Sequence, residues 1–364
     1  MITLREEGWL PHVRARIEAL LHAPSRGERR VAVLDWDNTM MRGDVGDLAL
    51  AWMLENGGVM RTRWEWGYGL TGAAIEALER SMHLVPIGEP VPRVCGAELA
   101  SIAIHGETTR GEPAFVRPLT RTLRASYAFS ARLFAPHDEA GAELIAERAL
   151  SAGLARPIGD TSGVCGVAFE TFARLNAQMV ELVACLRDAG FEVWIVSASF
   201  EPVVRAAARL AGIPRERVIA TRLVTDARGR FTTELARCDA SGDEVMPFFE
   251  GKRRWIQRTI FGVPEARAHV RPLGREQRPR FAAGDADTDL AMLEDATELR
   301  LVLDRGQIRV CCAALADPSR WALQPLFVAP PERVPEVLPC SSHHDALGPV
   351  LDETGAPIAD QRRS

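Results

Sequence analysis

Around residue 35 the sequence reads Asp35-Trp36-Asp37-Asn38-Thr39, two carboxylates two positions apart, directly after the apolar run Val31-Ala32-Val33-Leu34. In extended backbone that spacing sends both carboxylates to one side and Trp36 to the other. Two more strand-like runs end in side-chain oxygens: Phe191-Glu192-Val193-Trp194-Ile195-Val196 before Ser197-Ala198-Ser199, and Arg280-Phe281-Ala282-Ala283 before Gly284-Asp285-Ala286-Asp287-Thr288-Asp289. Open α/β sheets bind ligands outside the carboxyl ends of their strands. Asp35, Asp37, Asp285, Asp287 and Asp289 in one crevice would repel one another unless a cation sat among them. Oxygen-only ligands select a hard cation, and Mg²⁺ is the usual one where a phosphate shares the site. Lys252 could supply a balancing positive charge. It is the only lysine in the chain, against 43 arginines. A lysine that persists in such a background fits a site where a compact ammonium is needed and a planar fork fails.

The elements that must position these groups are legible in the hydrophobic pattern. Short continuous apolar runs suggest strands buried on both faces, as in a parallel sheet covered by helices. Runs at 299–303 and 218–220 add two more strands. An amphipathic helix is expected over 1–24, and another over 176–189, stopped by Gly190. The fold class expected is α/β, a doubly wound Rossmann-like parallel sheet. From Asp35 to Ser197 is too far for one βα connection. Residues 43–170 are therefore read as a helical cap domain, with helices over 48–54, 73–82, 119–134 and 140–150, inserted into a core made of 1–42 and 171–338. Residues 221–234 carry a hairpin signal at Asp226-Ala227-Arg228-Gly229-Arg230. Residues 339–364 read as a polar, loose tail.

With these residues in place the sequence resembles the haloacid dehalogenase superfamily. Asp35-Trp36-Asp37-Asn38-Thr39 fits its D-x-D-x-T motif, Ser197 its second motif, Lys252 its third, and Gly284-Asp285-x-x-x-Asp289 its fourth. The long insertion after the first motif is similar to the helical cap of the phosphoserine phosphatase branch, to which phosphorylcholine phosphatases are related. The resemblance implies a Mg²⁺-dependent phosphomonoester hydrolase acting on a small phosphorylated metabolite through an aspartyl-phosphate. Asp35 would be the nucleophile and Asp37 the general acid and base. Ser197, Ala198 and Lys252 would hold the phosphoryl group. Asp35, the backbone carbonyl of Asp37, and Asp285 would bind the metal, with Asp289 and Thr288 in support. Thr288 stands where relatives often have Asn, and Ala198 where phosphoserine phosphatases often have Gly. A phosphotransferase using the same intermediate and a non-catalytic phosphate-responsive module are the alternatives.

Several residues have plainer readings. Asp287 could cap the helix that follows it, Ser199 could contact phosphate or cap a helix from Glu201, and Trp36 reads as core. Trp64, Glu65, Trp66 and Tyr68 could form an aromatic cage with an acid for a cationic substrate group, or simply pack cap against core. Lys252 itself could be an exposed residue at the start of a helix; if it is not, changing the neighbouring Arg253 or Arg254 to lysine should alter turnover little. With 44 basic and 49 acidic residues the net charge is −5, which offers no footprint for nucleic acid or an anionic membrane. No apolar stretch is long enough to span a bilayer, and the first residues show no secretory signal. The seven cysteines form no C-x-x-C, so reduced thiols in a cytoplasm are expected, with Cys311-Cys312 as buried packing.

Overall fold

The computed structural model describes residues 2–24, 27–64, 68–238, 244–264, 267–268, 270–271, 274–329 and 334–363. Helix α1 (Pro11–His22) leads to strand β1 (Val31–Leu34). It starts at Pro11, which suits a first helical turn, and not at residue 1. Residues ahead of it are committed elsewhere: the amides of Arg5 and Glu6 donate to the Glu181 carboxylate at 2.7 and 2.9 Å. After β1 the chain forms β2 (Met41–Arg42), then α2 (Val45–Asn56), α3 (Gly72–Ser81), α4 (Ala97–His105), α5 (Ala125–Arg132) and α6 (Glu139–Ala155). It returns through a hairpin, β3 (Thr161–Val164) and β4 (Val167–Glu170), and through β5 (Arg174–Leu175). β5 pairs antiparallel with β2, so the long inserted segment leaves and re-enters through a two-stranded neck.

The remainder alternates strand and helix: α7 (Ala177–Asp188), β6 (Glu192–Phe200), α8 (Glu201–Ala208), β7 (Val218–Thr221), the hairpin β8 (Leu223–Thr225) and β9 (Phe231–Leu235), and α9 (Glu250–Thr259). Next come β10 (Phe281–Gly284), α10 (Leu290–Asp295), β11 (Leu299–Asp304), α11 (Ile308–Ala316) and β12 (Trp321–Pro325). Six strands form one sheet in the order β12-β11-β10-β1-β6-β7, every neighbouring pair parallel. This is the doubly wound arrangement expected from the pattern, with β12 as a strand the pattern did not reveal. All four residues of β1 are fully buried. Ala32 and Leu34 join one apolar cluster with α1 and α7, while Val31 and Val33 join the other with α9, α10 and α11. Strand order reverses between β1 and β10, which makes the crevice beyond their carboxyl ends the topological switch point.

The inserted segment departs from expectation in detail. Residues 119–124 are a turn and not the start of a helix. The Thr122 amide donates to Thr120 Oγ1 at 3.2 Å, and the carbonyls of Thr122 and Arg121 accept from the amides of Met246 and Glu250. Backbone groups spent on a neighbouring loop cannot also propagate a helix. Helix α4 and the hairpin β3–β4 escaped the periodicity reading.

The C-terminal segment is not loose. Short pairs β13 (Val337–Leu338) with β16 (Gln361–Arg362), and β14 (His344–Asp345) with β15 (Gly348–Pro349), order it. Leu338, Cys340, Val350 and Ile358 are buried in the cluster around α11. Cys340 forms a disulfide with Cys312, their Cα atoms 5.9 Å apart. That corrects the expectation of seven reduced thiols, because two cysteines distant in sequence meet in a shared core. No helix among the described residues is long and apolar enough to cross a membrane.

Candidate active site

The site begins where β1 ends. The Asp35 amide continues the sheet ladder to the Ala283 carbonyl at 2.9 Å, which fixes the carboxylate over the switch point. Asn38 has φ of 57°, a conformation asparagine tolerates better than most residues. Its Oδ1 accepts from Arg42 at 2.9 Å and from the Gly43 amide at 3.2 Å. The chain thus turns sharply after Asp37 and delivers α2 back to the site. Asn176, at the start of α7, holds the same turn by donating to the Thr39 carbonyl at 2.9 Å.

Lys252, in the first turn of α9, is 1% exposed. Its Nζ donates to Asp35 Oδ1 at 2.6 Å and to Asp289 Oδ1 at 2.5 Å. The other oxygen of Asp289 accepts from the amides of Asp285 and Ala286 at 3.0 and 3.1 Å. The carboxylate therefore lies against Gly284, where a Cβ would come within 2.5 Å of it. Asp285 accepts from Thr39 Oγ1 at 3.0 Å and pairs with Arg305 at 2.9 Å. One oxygen from each of Asp35, Asp285 and Asp289 lies within 4.8 Å of the others.

Asp37 does not join that cluster through its side chain. β1 ends before it, so the two-residue alternation no longer governs where it points. Its Oδ1 accepts from the Val45 amide at the start of α2, at 2.7 Å. Its Oδ2 accepts from Ser199 Oγ at 2.7 Å and Ser197 Oγ at 3.3 Å. Ser199 is thus a partner of Asp37 and does not cap α8. The Ala198 carbonyl accepts from Thr221 at 2.6 Å, and the Thr288 carbonyl from the Phe249 amide at 3.0 Å. Asp287 caps a helix, but not its own: its carboxylate accepts from the Val310 amide in the first turn of α11 at 3.0 Å.

The electrostatics follow from crowding of acids out of water. Burial, then Asp289, raises the Asp35 carboxyl well above the usual carboxylate range against the pull of Lys252. Burial, then Asp289, pushes Asp285 up to about 6. Burial, then Asp44, pushes Asp37 up to about 8. Burial alone would lower Lys252, but Asp289 and Asp35 outweigh it and hold the ammonium above its ordinary value. The negative charge near Asp35, Asp285 and Asp289 exceeds what Lys252 and Arg305 balance. An all-oxygen, carboxylate-rich donor set of this kind fits a hard divalent cation.

Asp44 and Asp47 were not singled out in the sequence. Asp44 caps α2 by accepting from the Asp47 amide at 3.0 Å. Both line a cavity of about 40 Å³ with Tyr127, Ser199 and Phe200. Arg305 was missed as well; its signal was its place just past the end of β11.

Trp64 and Tyr68 are each 1% exposed, their rings 5.4 Å apart. Tyr68 also meets Phe129 edge-on, and its hydroxyl bonds Thr62 at 2.7 Å. Both are buried beside Phe129 of the inserted segment itself. Glu65 and Trp66 lie outside the described residues.

The conserved protein of unknown function from Anaerococcus prevotii DSM 20548 has a similar fold, with a TM-score of 0.62 at 19% identity over 88% of this chain and 94% of that one. A protein of unknown function from Bordetella pertussis Tohama I gives 0.49 at 19% identity over 82% and 100%. A substrate-bound phosphoserine phosphatase complex gives 0.33 at 13% identity over 76% and 87%. No curated protein matches the sequence. The haloacid dehalogenase-like hydrolase family matches residues 109–294, a span that carries Ser197, Lys252, Asp285 and Asp289 and ends in α10. Since that match takes in half of the chain, the chain belongs to the haloacid dehalogenase-like hydrolase family.

Proposed function

We propose that this hydrolase cleaves small phosphomonoesters, with Asp35 as the attacking carboxylate. The observation that carries the reading is the placement of Asp35 at the switch point, 2.6 Å from the buried ammonium of Lys252 and clustered with Asp285 and Asp289. Asp35 attacks phosphorus in line, and an aspartyl-phosphate forms as the alkoxide leaves. Asp37, held by Ser199 and the Val45 amide, gives its proton to that oxygen. In the second half it takes a proton from the water that hydrolyses the acyl phosphate. Lys252 holds a phosphoryl oxygen, with Ser197 beside it, and Asp289 keeps Lys252 in place. Asp35, Asp285 and the backbone carbonyl of Asp37 would hold Mg²⁺, which would supply charge neutralisation for the phosphoryl oxygens. The inserted segment, residues 43–170, acts as a cap. Its support is the β2–β5 neck, together with the backbone bonds from Met246 to Thr122 and from Glu250 to Arg121, which couple it to the Lys252 loop.

The test is phosphate release from a panel of metabolite monophosphates with Mg²⁺, for the wild type and for Asp35→Asn. The wild type should turn over at least one member. The near-isosteric amide should abolish turnover while circular dichroism stays unchanged. Activity retained in Asp35→Asn would remove Asp35 from the mechanism.

A further inference from the structure

Lys252 serves Asp35 and Asp289, and Asp285 has a cation of its own. Arg305 Nη1 donates to Asp285 Oδ2 at 2.9 Å, and Thr39 Oγ1 donates to Asp285 Oδ1 at 3.0 Å. The Asp285 side chain is 2% exposed and that of Arg305 is 25% exposed. A carboxylate bonded at one oxygen can still swing about that bond. Bonded at both oxygens it keeps one orientation, and its remaining lone pairs keep one direction.

The loop that delivers Arg305 is fixed at both ends. β11 ends at Asp304, whose carboxylate accepts from the Gly306 amide at 2.9 Å and from Arg363. Gly306 has φ of 73°, a turn that glycine makes without strain. At the far end of the loop, the Val310 amide donates to the Asp287 carboxylate at 3.0 Å. Asp287 stands two residues after Asp285, so the loop presenting Arg305 is bonded to the loop presenting its partner. An ordinary surface ion pair lacks such anchoring and is worth little. The family match ends at residue 294, and this second cation comes from the chain beyond it.

We propose that Arg305 is a positioning residue for the metal: it holds the Asp285 carboxylate, together with Thr39, in the one orientation that offers its lone pairs to Mg²⁺, and it does not touch the substrate. This rests on the phosphomonoesterase reading above, which assigns Asp285 to the metal. Groups that orient a metal-ligating carboxylate typically contribute about 10–100-fold to metal affinity or activity.

The test measures metal binding directly, on metal-stripped full-length protein without substrate. Mg²⁺ affinity is read by calorimetry and Mn²⁺ affinity by electron paramagnetic resonance, for wild type, Arg305→Met and Arg305→Lys. Urea unfolding without metal checks the fold of each. Arg305→Met keeps an unbranched stem and removes the charge, and its affinity for both ions should weaken at least about tenfold. Arg305→Lys keeps the charge with a shorter reach; it should bind more tightly than Arg305→Met and less tightly than wild type, and it carries the comparison alone if Arg305→Met does not fold. At saturating Mg²⁺, kcat and the KM for a phosphomonoester should stay close to wild type, because the loss lies in holding the metal. Wild-type metal affinity in every folded variant overturns the inference while the phosphatase reading stands. So does a raised KM with metal affinity unchanged, which would place Arg305 on the substrate. If the wild type itself binds neither ion, the metal assignment in the phosphatase reading falls as well.

Discussion

Lys252 shows how much a single side chain can reveal. Its isolation among 43 arginines marks it in the sequence, and its burial between Asp35 and Asp289 supplies the physical cause. A guanidinium is longer and planar, and no point charge could then sit between two carboxylates at 2.6 and 2.5 Å. Lys252→Arg should lower turnover on the order of 100-fold, since a misplacement of about 1 Å costs that much. Single-turnover phosphate release would measure it, and near-wild-type rates would make the lysine incidental. Its neighbour Arg253 has a structural part that only the tertiary structure supplies. Arg253 is mostly buried and binds both oxygens of Asp295, at 2.7 and 2.9 Å. Arg253→Lys should cost about 1–2 kcal/mol in denaturant unfolding through the lost fork, so it is not a neutral substitution.

Two elements decide where that lysine and its sheet sit. The loop into α9 passes so close to itself that a Cβ on Gly251 would lie 1.9 Å from the Met246 carbonyl oxygen. Gly251→Ala must therefore move the loop that delivers Lys252. We expect about 1–3 kcal/mol of destabilisation together with a fall in turnover. Unchanged values of both would show that the loop yields freely. At the opposite edge of the sheet, Glu192 opens β6 and pairs with Arg29, just ahead of β1, and Arg217, just ahead of β7. The hydrogen bond from Arg29, then that from Arg217, hold its carboxyl down at about 2 against burial. A depressed carboxyl stabilises the fold fully above its unfolded value near 4.5, and the contribution fades as pH falls towards 2. Partly exposed pairs are worth little, so Glu192→Gln should cost about 1 kcal/mol at pH 7. The gap should close below about pH 4.5 in urea titrations; a constant gap across that window would contradict the linkage.

Across the whole molecule, the C-terminal segment is bound to the second apolar cluster and the elements around it. Arg271, Arg300 and Arg320 converge on Glu353, Arg363 reaches Asp304, and the disulfide joins Cys340 to α11. Closing a loop of 28 residues restricts the unfolded chain, so Cys312→Ser should lower stability by about 2–4 kcal/mol under non-reducing conditions. Thiol titration of the denatured chain without reductant should count five groups, matching the five free cysteines, and seven after reduction. A count of seven without reductant would remove the bridge.

The sequence alone determined five of the sheet's six strands and the oxygen-bearing residues at its carboxyl edge, because both are written locally. Buried parallel strands read as unbroken apolar runs, and oxygen-bearing residues at the ends of those runs share a crevice wherever the crossovers place them. Asp35, Ser197, Asp285 and Asp289 were legible for that reason, and Lys252 because it is the only lysine in the chain. Tertiary structure decided what depends on partners distant in the chain. It separated the side chains of Asp37 and Asp35, because the turn at Asn38 ends the strand's alternation. It stopped α5 short at Ala125, because the backbone before it bonds the Lys252 loop. It buried Trp64 and Tyr68 beside Phe129 of the inserted segment, and it brought Cys340 to Cys312. A polar, turn-rich segment shows no periodicity from which such docking could be read. Its few buried residues acquire meaning only against the surface they meet.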